Sequence, residues 1–335
     1  MNPRVAVCLT LAVASAWAAH AQTTRTFTGE NDLFAGTDQH YTNGLRYSAV
    51  RGNVGETPWW GREIARDLGV CGTEQGNEAR TCFRVDRGYA ITHTIYTPTN
   101  IDIAAPIPGD RPYGGWLHYT TMFDLQNDTD KRVHHHFEAD FGVTGDWSLA
   151  EDIQTEWHEI INSDPPMGWD NQIDNSLTFL LLYRYRKVVF QKFNADEDIR
   201  LFDFAPHAVG AFGNVFTYGG AGITARLGYN IPKEFHDGIE PTAAGSAGSS
   251  HPLSVFVFAG AEGRAVGRNV FLDGNRSNGL SVDKEPFVSD LSAGLAVGYK
   301  RLLVSYRLVQ RSREFEGQLD PLNFGSIAIT WRPWT

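Results

Sequence analysis

Gln154 and His158 lie four residues apart in a segment whose apolar residues recur at helical intervals. Side chains with this spacing share one face of a helix, so the two polar groups would project together. Histidine can take up a proton near neutral pH, which makes His158 a candidate general base, with Gln154 beside it. The alternative is an amphipathic loop helix with a solvated histidine, and the pattern alone leaves both interpretations open.

The same spacing predicts one helix near residues 148–162 in a chain that otherwise reads as strands and turns. Ser148 can cap its start, with Glu151 three residues later as in a capping box, and Pro165 and Pro166 end it. Its apolar positions recur every three or four residues: Leu149, Ile153, Trp157, Ile160 and Ile161.

Oxygen donors concentrate in a second stretch, residues 29–46. They are the carboxylates, amides and hydroxyls that a hard cation such as Ca²⁺ prefers: Glu30, Asn31, Asp32, Thr37, Asp38 and Thr42. The spacing is not that of an EF-hand, and no cysteine or grouped histidine suggests zinc. A polar hairpin loop with Asx turns is the alternative.

Residues 1–21 have the features of a secretory signal: a basic start at Arg4, an apolar run, and a small-residue cleavage pattern at its end. We therefore expect the mature chain to span residues 22–335. Removal of the signal changes the formal charge from −10 to −11, since one arginine is lost. The acidic balance and the lack of basic clusters argue against a nucleic-acid partner.

Two cysteines, Cys71 and Cys82, remain in the expected mature chain. In an exported protein, two cysteines close in sequence favour one disulfide that closes a small loop. A pair of reduced thiols is the alternative.

Beyond the signal, the sequence has no run of roughly 18 apolar residues, which a membrane-spanning helix requires. Charged residues make up 20% of the chain, below the ~25% usual in soluble proteins. Polar and apolar residues alternate over many segments, for example in residues 134–143. An exported chain with this alternation fits an all-β, transmembrane antiparallel β-barrel, although soluble barrels and sandwiches alternate in the same way.

We predict about twelve strands, near residues 23–30, 41–52, 83–97, 113–126, 131–144, 175–192, 198–213, 216–229, 253–266, 286–299, 301–312 and 323–332. With both chain ends in the periplasm, the long connections 30–41, 97–112 and 145–174 follow odd-numbered strands and open on the outer side. The candidate chemistry lies in these connections. Asp110 and Arg111 in the second one would either order the loop on the barrel rim, which we favour, or face a phosphate.

The triplet His134-His135-His136 is not expected to bind a metal, because on a strand the side chain of His135 points away from those of its neighbours. No Gly-x-Ser-x-Gly motif occurs, so a nucleophilic serine of the α/β-hydrolase type is not expected.

Four motifs in this order resemble those of the lipid A 3′-O-deacylases, calcium-dependent enzymes of the outer membrane. They are Asn31-Asp32 with Tyr41-Thr42-x-Gly44-Leu45; Ile95-Tyr96-Thr97-Pro98; Gly109-Asp110-Arg111; and Gln154-x-x-x-His158-x-Ile160-Ile161 followed by Trp169 and Gln172. The resemblance covers essentially the whole mature chain.

The resemblance implies a twelve-stranded barrel whose active site lies between the barrel wall and a helix of an outer loop. It implies that His158 activates water beside Gln154, that Asn31 and Thr42 are catalytic, and that Asp32 and Asn31 hold Ca²⁺. A family glutamate falls at Asp164, which together with Arg111 is a candidate for substrate binding.

The function implied is an outer-membrane esterase that removes the 3′-linked acyloxyacyl group of lipid A, with Ca²⁺ stabilising the oxyanion. Its partners would be lipopolysaccharide and the lipids of the outer leaflet, which the site would face, and we expect a monomer. Two alternatives remain: a barrel phospholipase, or a non-catalytic pore or structural barrel.

Overall fold

The computed structural model describes residues 23–35, 41–52, 83–127, 132–232, 251–274 and 280–332. The expected signal peptide, Cys71, Cys82 and most of the connection at 230–252 lie outside these ranges. Within them, the strands are β1 (Thr23–Asn31), β2 (Tyr41–Arg51), β3 (Phe83–Tyr96), β4 (Gly114–Asn127), β5 (Val133–Thr144), β6 (Ser176–Lys187), β7 (Phe190–Phe193), β8 (Arg200–Gly213), β9 (Phe216–Tyr229), β10 (Leu253–Asn269), β11 (Phe287–Tyr299), β12 (Leu302–Arg311) and β13 (Leu322–Trp331).

Twelve of these strands form one closed antiparallel barrel. Each pairs with its neighbours in the chain, and β1 pairs with β13 to close the ring. The prediction of a twelve-stranded barrel is therefore confirmed. The short β7 is an additional strand beside β8, and β6 pairs directly with the rest of β8.

The single strand predicted at 175–192 is wrong in one respect, because the structure divides it into β6 and β7. The amide of Val188 donates to the carbonyl of Arg132, and the amide of Val189 donates to the carbonyl of Phe204. The chain changes its pairing partner at this point, so the ladder is interrupted although the local composition still favours a strand.

The two faces of the barrel differ as the alternation predicts. Large apolar side chains such as Leu177, Phe287 and Leu291 are exposed on the outside, where a membrane barrel meets lipid. Ion pairs fill the interior, among them Arg226–Asp203 at 2.7 Å and Arg311–Asp290 at 2.9 Å. Such pairing compensates charges that are withdrawn from bulk water.

The histidine triplet follows the same alternation. The Nδ1 atom of His136 lies 2.7 Å from a carboxylate oxygen of Asp124 on the interior side. His135 instead contacts the hydroxyl of Tyr183 at 2.9 Å.

Within the described ranges, the connections contain the α-helices α1 (Ala150–Ile161) and α2 (Val270–Asp273). In the described part of the chain, neither is long and apolar enough to cross a membrane. The helix predicted near 148–162 is confirmed as α1, but Ser148 does not cap it. Its N-cap residue is Leu149, with φ 60° and ψ 25°, because a 3₁₀ turn at Gly145–Ser148 precedes the helix and uses the Ser148 hydroxyl internally, on the carbonyl of Gly145.

Candidate active site

Helix α1 packs against the outside of the barrel wall. Tyr96 of β3 and Trp116 of β4 line a cavity in the lumen, so their neighbours Ile95 and Gly115 face the opposite, outer side. Ala150 of α1 packs with Ile95 in one buried cluster. The helix therefore covers the outer ends of β3 and β4.

Glycine at position 115 permits this close approach. A Cβ atom there would overlap the Cβ of Ala150 and the Oγ of Ser148. The carbonyl of Ser148 also accepts a hydrogen bond of 3.0 Å from Nε2 of His93, another outward-facing residue of β3. The start of α1 is thus held directly on the wall.

A second outer-loop segment packs on the same wall three strands away. The 3₁₀ turn Asp32–Ala35 follows β1 and lies over Gly325 of β13, where a Cβ would meet Phe34. The hydroxyl of Tyr306, on β12, donates to the carbonyl of Phe34 at 2.7 Å. The outer ends of β1 and β2 lie between this turn and α1.

Asn31, the last residue of β1, lies at one of these strand ends between the turn and α1. Strand alternation places it on the same outer face as Phe27, and it is buried, as is Asp32 after it. Strands are ~4.8 Å apart, so β1 lies about 10 Å from β3. The rise of 1.5 Å per residue puts His158 about 12 Å along the axis from Ala150, so α1 is long enough to span these strand ends.

The side of α1 that is buried against the protein is its polar stripe. Ala150, Gln154 and His158 are buried, whereas Trp157 and Ile160 are exposed, Ile160 by 74%. His158 is only 7% exposed, so the alternative of a solvated histidine is wrong. Gln154 and His158 project together, as their spacing predicted.

The main chain contacts one ring nitrogen of His158. Its Nδ1 lies 2.5 Å from the carbonyl oxygen of Asp164. A carbonyl can only accept, so Nδ1 carries a proton, and the neutral tautomer that keeps this hydrogen bond has its lone pair on Nε2. Asp164 therefore touches the site through its backbone, while its side chain is exposed.

Trp169 holds the side chain of Gln154. The indole N–H donates to Oε1 of Gln154 at 2.9 Å. In the described part of the chain, Nε2 of Gln154 is buried without a hydrogen-bond partner. In the sequence, Trp169 belongs to a motif but has no assigned role. Its contact with Gln154 joins residues fifteen positions apart, and local spacing does not indicate such a contact.

Acidic groups surround the start of α1. Burial, followed by the carboxylates of Asp170, Asp152 and Asp146, raises the pKa of Glu151. Asp146 also accepts a hydrogen bond of 2.6 Å from Nε2 of Gln172. This contact ties the beginning of the helix to the segment that returns to β6.

Arg111 lies away from this group. Its guanidinium lies over the ring of Tyr96, on the lumen side, at 5.1 Å, and its Nη2 is 3.3 Å from Glu314. Asp110 accepts from the amide of Thr99 at 2.7 Å. These contacts support the loop-ordering interpretation, and a role in substrate binding stays a prediction.

The donor chemistry at the end of β1 fits a calcium ion in part. Asn31 and Asp32 offer an amide and a carboxylate oxygen, the ligands that Ca²⁺ prefers. Thr42 lies in β2 where the pairing with β3 is irregular, and its side chain is outside the described structure. Over the described ranges, no group of three or more His, Cys, Asp or Glu side chains is arranged to hold a metal, so amide, backbone or water oxygens would have to complete a site.

A closed twelve-stranded barrel, apolar outside, charged inside and carrying packed loops at one end, defines an outer-membrane β-barrel protein. The model of the family described as outer membrane protein LpxR matches residues 5–333, and the chain belongs to this family. It is the family of lipid A 3′-O-deacylases that the motifs indicated, and it places the chain in the Gram-negative outer membrane.

The structure is similar to that of LpxR from Salmonella typhimurium. The TM-score is 0.72 at 21% identity, and the match covers 92% of this chain and 99% of that one. The β domain of the Bordetella autotransporter BrkA gives a TM-score of 0.44 at 10% identity, covering 93% and 98%. No curated protein sequence matches significantly.

Proposed function

We propose that the chain is an esterase that hydrolyses the 3′-linked acyloxyacyl group of lipid A in the outer leaflet. One observation carries the proposal. A buried histidine whose Nδ1–H donates to a main-chain carbonyl shares the buried face of α1 with Gln154, and Nε2 of Gln154 has no hydrogen-bond partner in the described part of the chain. The name of the matching family and of its Salmonella structure supports the lipid A assignment.

In the proposed reaction, Nε2 of His158 takes a proton from a water molecule as the water oxygen attacks the ester carbonyl carbon. The carbonyl of Asp164 stabilises the imidazolium through Nδ1–H. The same proton then passes to the sugar oxygen as the bond between that oxygen and the acyl carbon breaks. The products are the free acyloxyacyl acid and the 3′-hydroxyl of lipid A.

Nε2 of Gln154 would donate to the oxygen on which negative charge develops. Asn31 and Asp32 would hold Ca²⁺, which when bound supplies positive charge that polarises the ester carbonyl. Thr42 would orient the ester beside them. Phe27 is exposed on the same face of β1 as Asn31, so the wall below the strand end offers an apolar surface for acyl chains.

The test is mass spectrometry of lipid A from cells that express wild type or His158→Ala. Loss of a general base lowers turnover by ~10²–10⁴-fold, so lipid A should lose the 3′-linked group with the wild type only. Purified protein should act with Ca²⁺ and stop when a chelator is added. Folding of both proteins is checked by the shift in gel mobility on heating.

Unchanged lipid A with correctly folded wild type in the outer membrane would overturn the proposal. Release of fatty acid from phospholipid vesicles without lipid A would instead identify a phospholipase. Ion conductance in planar bilayers would support a pore.

A further inference from the structure

We infer that Trp169 is a positioning residue for the proposed hydrolysis: its indole N–H turns the amide of Gln154 so that the NH₂ group points at the reacting ester. This inference rests on the proposed function. It assigns Trp169 no proton transfer and no contact with the reacting atoms.

The orientation of the Gln154 amide follows from the chemistry of its partner. An indole nitrogen can only donate a hydrogen bond, so the atom 2.9 Å from it must be the amide oxygen. The reversed amide would place an NH₂ group against the indole N–H and lose the hydrogen bond. Nε2 therefore has to point away from Trp169.

That NH₂ group is buried and has no partner in the described part of the chain, and Gln154 as a whole is 2% exposed. Buried polar atoms are nearly always hydrogen-bonded, so an unsatisfied donor needs an explanation. A substrate oxygen that becomes negative during the reaction would supply the missing acceptor. The donor would then be engaged more strongly in the transition state than before it, which is the requirement for catalysis.

Trp169 itself is held rigidly enough to act as a reference point. It is 2% exposed and packs with Ile95, Tyr113 and Ala150 in one buried cluster. Its ring lies 4.9 Å from that of Tyr113, and the amide of nearby Ile173 donates to the Tyr113 carbonyl at 2.9 Å. The indole, the barrel wall and the start of α1 therefore form one packed unit.

The experiment measures kcat and KM of full-length enzyme in vesicles that contain lipid A. Trp169→Phe keeps most of the ring packing and removes the N–H. We expect kcat to fall about tenfold with KM within about twofold, less than the ~10²–10³-fold for complete loss of an oxyanion donor. Gln154→Glu keeps an acceptor for Trp169 but replaces the NH₂ by oxygen, and should lose kcat over that full range.

The specific readout is whether the losses of kcat caused by changes at Trp169 and Gln154 add. In a Gln154→Met background, Trp169→Phe should cause no further loss of kcat, because no amide remains to be oriented. Trp147→Phe is the matched control, since Trp147 is exposed and precedes the same helix, and it should retain wild-type kcat.

A wild-type kcat in Trp169→Phe, or an equal loss from this change in the Gln154→Met background, would overturn the inference. If Trp169→Phe fails to fold, Gln154→Glu decides, because a retained kcat there overturns it equally. Absence of deacylation by the wild type would overturn the proposed function and this inference with it, whereas active wild type with unaltered Trp169→Phe overturns the inference alone.

Discussion

Replacement of Gly115 by alanine should detach α1 from the barrel wall while leaving the barrel closed. Gly115 lies on the outward face of β4, so an added methyl does not disturb the hydrogen bonds of the strand ladder. The methyl would overlap Ala150 Cβ, which has no rotamer to change, and Ser148 Oγ, which is hydrogen-bonded to the Gly145 carbonyl. The helix backbone must therefore move outward.

The expected cost follows from these contacts. Overpacking of a well-filled contact costs ~1–3 kcal/mol, and loss of the His93–Ser148 hydrogen bond adds about 1 kcal/mol if the helix start moves. Docking weakened by ~2–4 kcal/mol in total raises the detached population about 30- to 900-fold. Because Gln154 and His158 move with the helix, deacylation should fall as well.

Limited proteolysis with a glutamate-specific protease measures the detached population, since α1 contains Glu151, Glu156 and Glu159. Cleavage in α1 should accelerate by the same factor when opening and closing are fast. Gly210→Ala is the matched control, because an added Cβ at this outward glycine of β8 meets no described atom within 4 Å. Wild-type cleavage and activity in Gly115→Ala would refute the claim that this glycine sets the contact.

Two further changes probe the surroundings of the site. The raised pKa of Glu151 means that the docked helix favours the protonated form, so docking should weaken as pH rises through that pKa. Hydrogen exchange of the α1 amides, corrected for intrinsic rates, should show this weakening. Glu151→Gln should abolish the pH dependence, whereas Glu159→Gln, two turns further along the same helix, should not. Arg111→Met leaves Glu314 without one of its buried partners. The free energy of unfolding in urea should therefore drop by about 3 kcal/mol, while KM for lipid A stays unchanged. A raised KM at unchanged stability would instead support substrate binding by Arg111.

The barrel was predictable because the alternation of side chains is a local feature of the strand sequences themselves. Residues 134–143 alternate between interior and lipid, and the same local alternation recurs in other strands such as β6 and β11. The break at Val188 and Val189 was not predictable in this way. It depends on the position of β8, which local composition does not contain.

For the candidate site, the shared helix face of Gln154 and His158 was predictable, but the contacts around it were not. Spacing placed Gln154 and His158 on one face, and the structure agrees. The spacing of apolar residues could not show that the polar stripe of α1 would face the protein. On a membrane barrel, the apolar side of an outer-loop helix does not have to pack against the protein to avoid water. The contacts of Trp169 and Gly115 join distant parts of the chain, and nothing in the flanking residues indicates them.

Because α1 lies outside the barrel wall, the proposed reaction would take place in the two dimensions of the membrane plane. A substrate anchored in the leaflet would reach His158 by sliding sideways within the membrane plane, without leaving it or entering the lumen. Turnover would then follow the mole fraction of lipid A among its neighbours and not its amount per volume of solution. Diluting the leaflet with inert lipid should slow the enzyme, while diluting the vesicles in buffer should not.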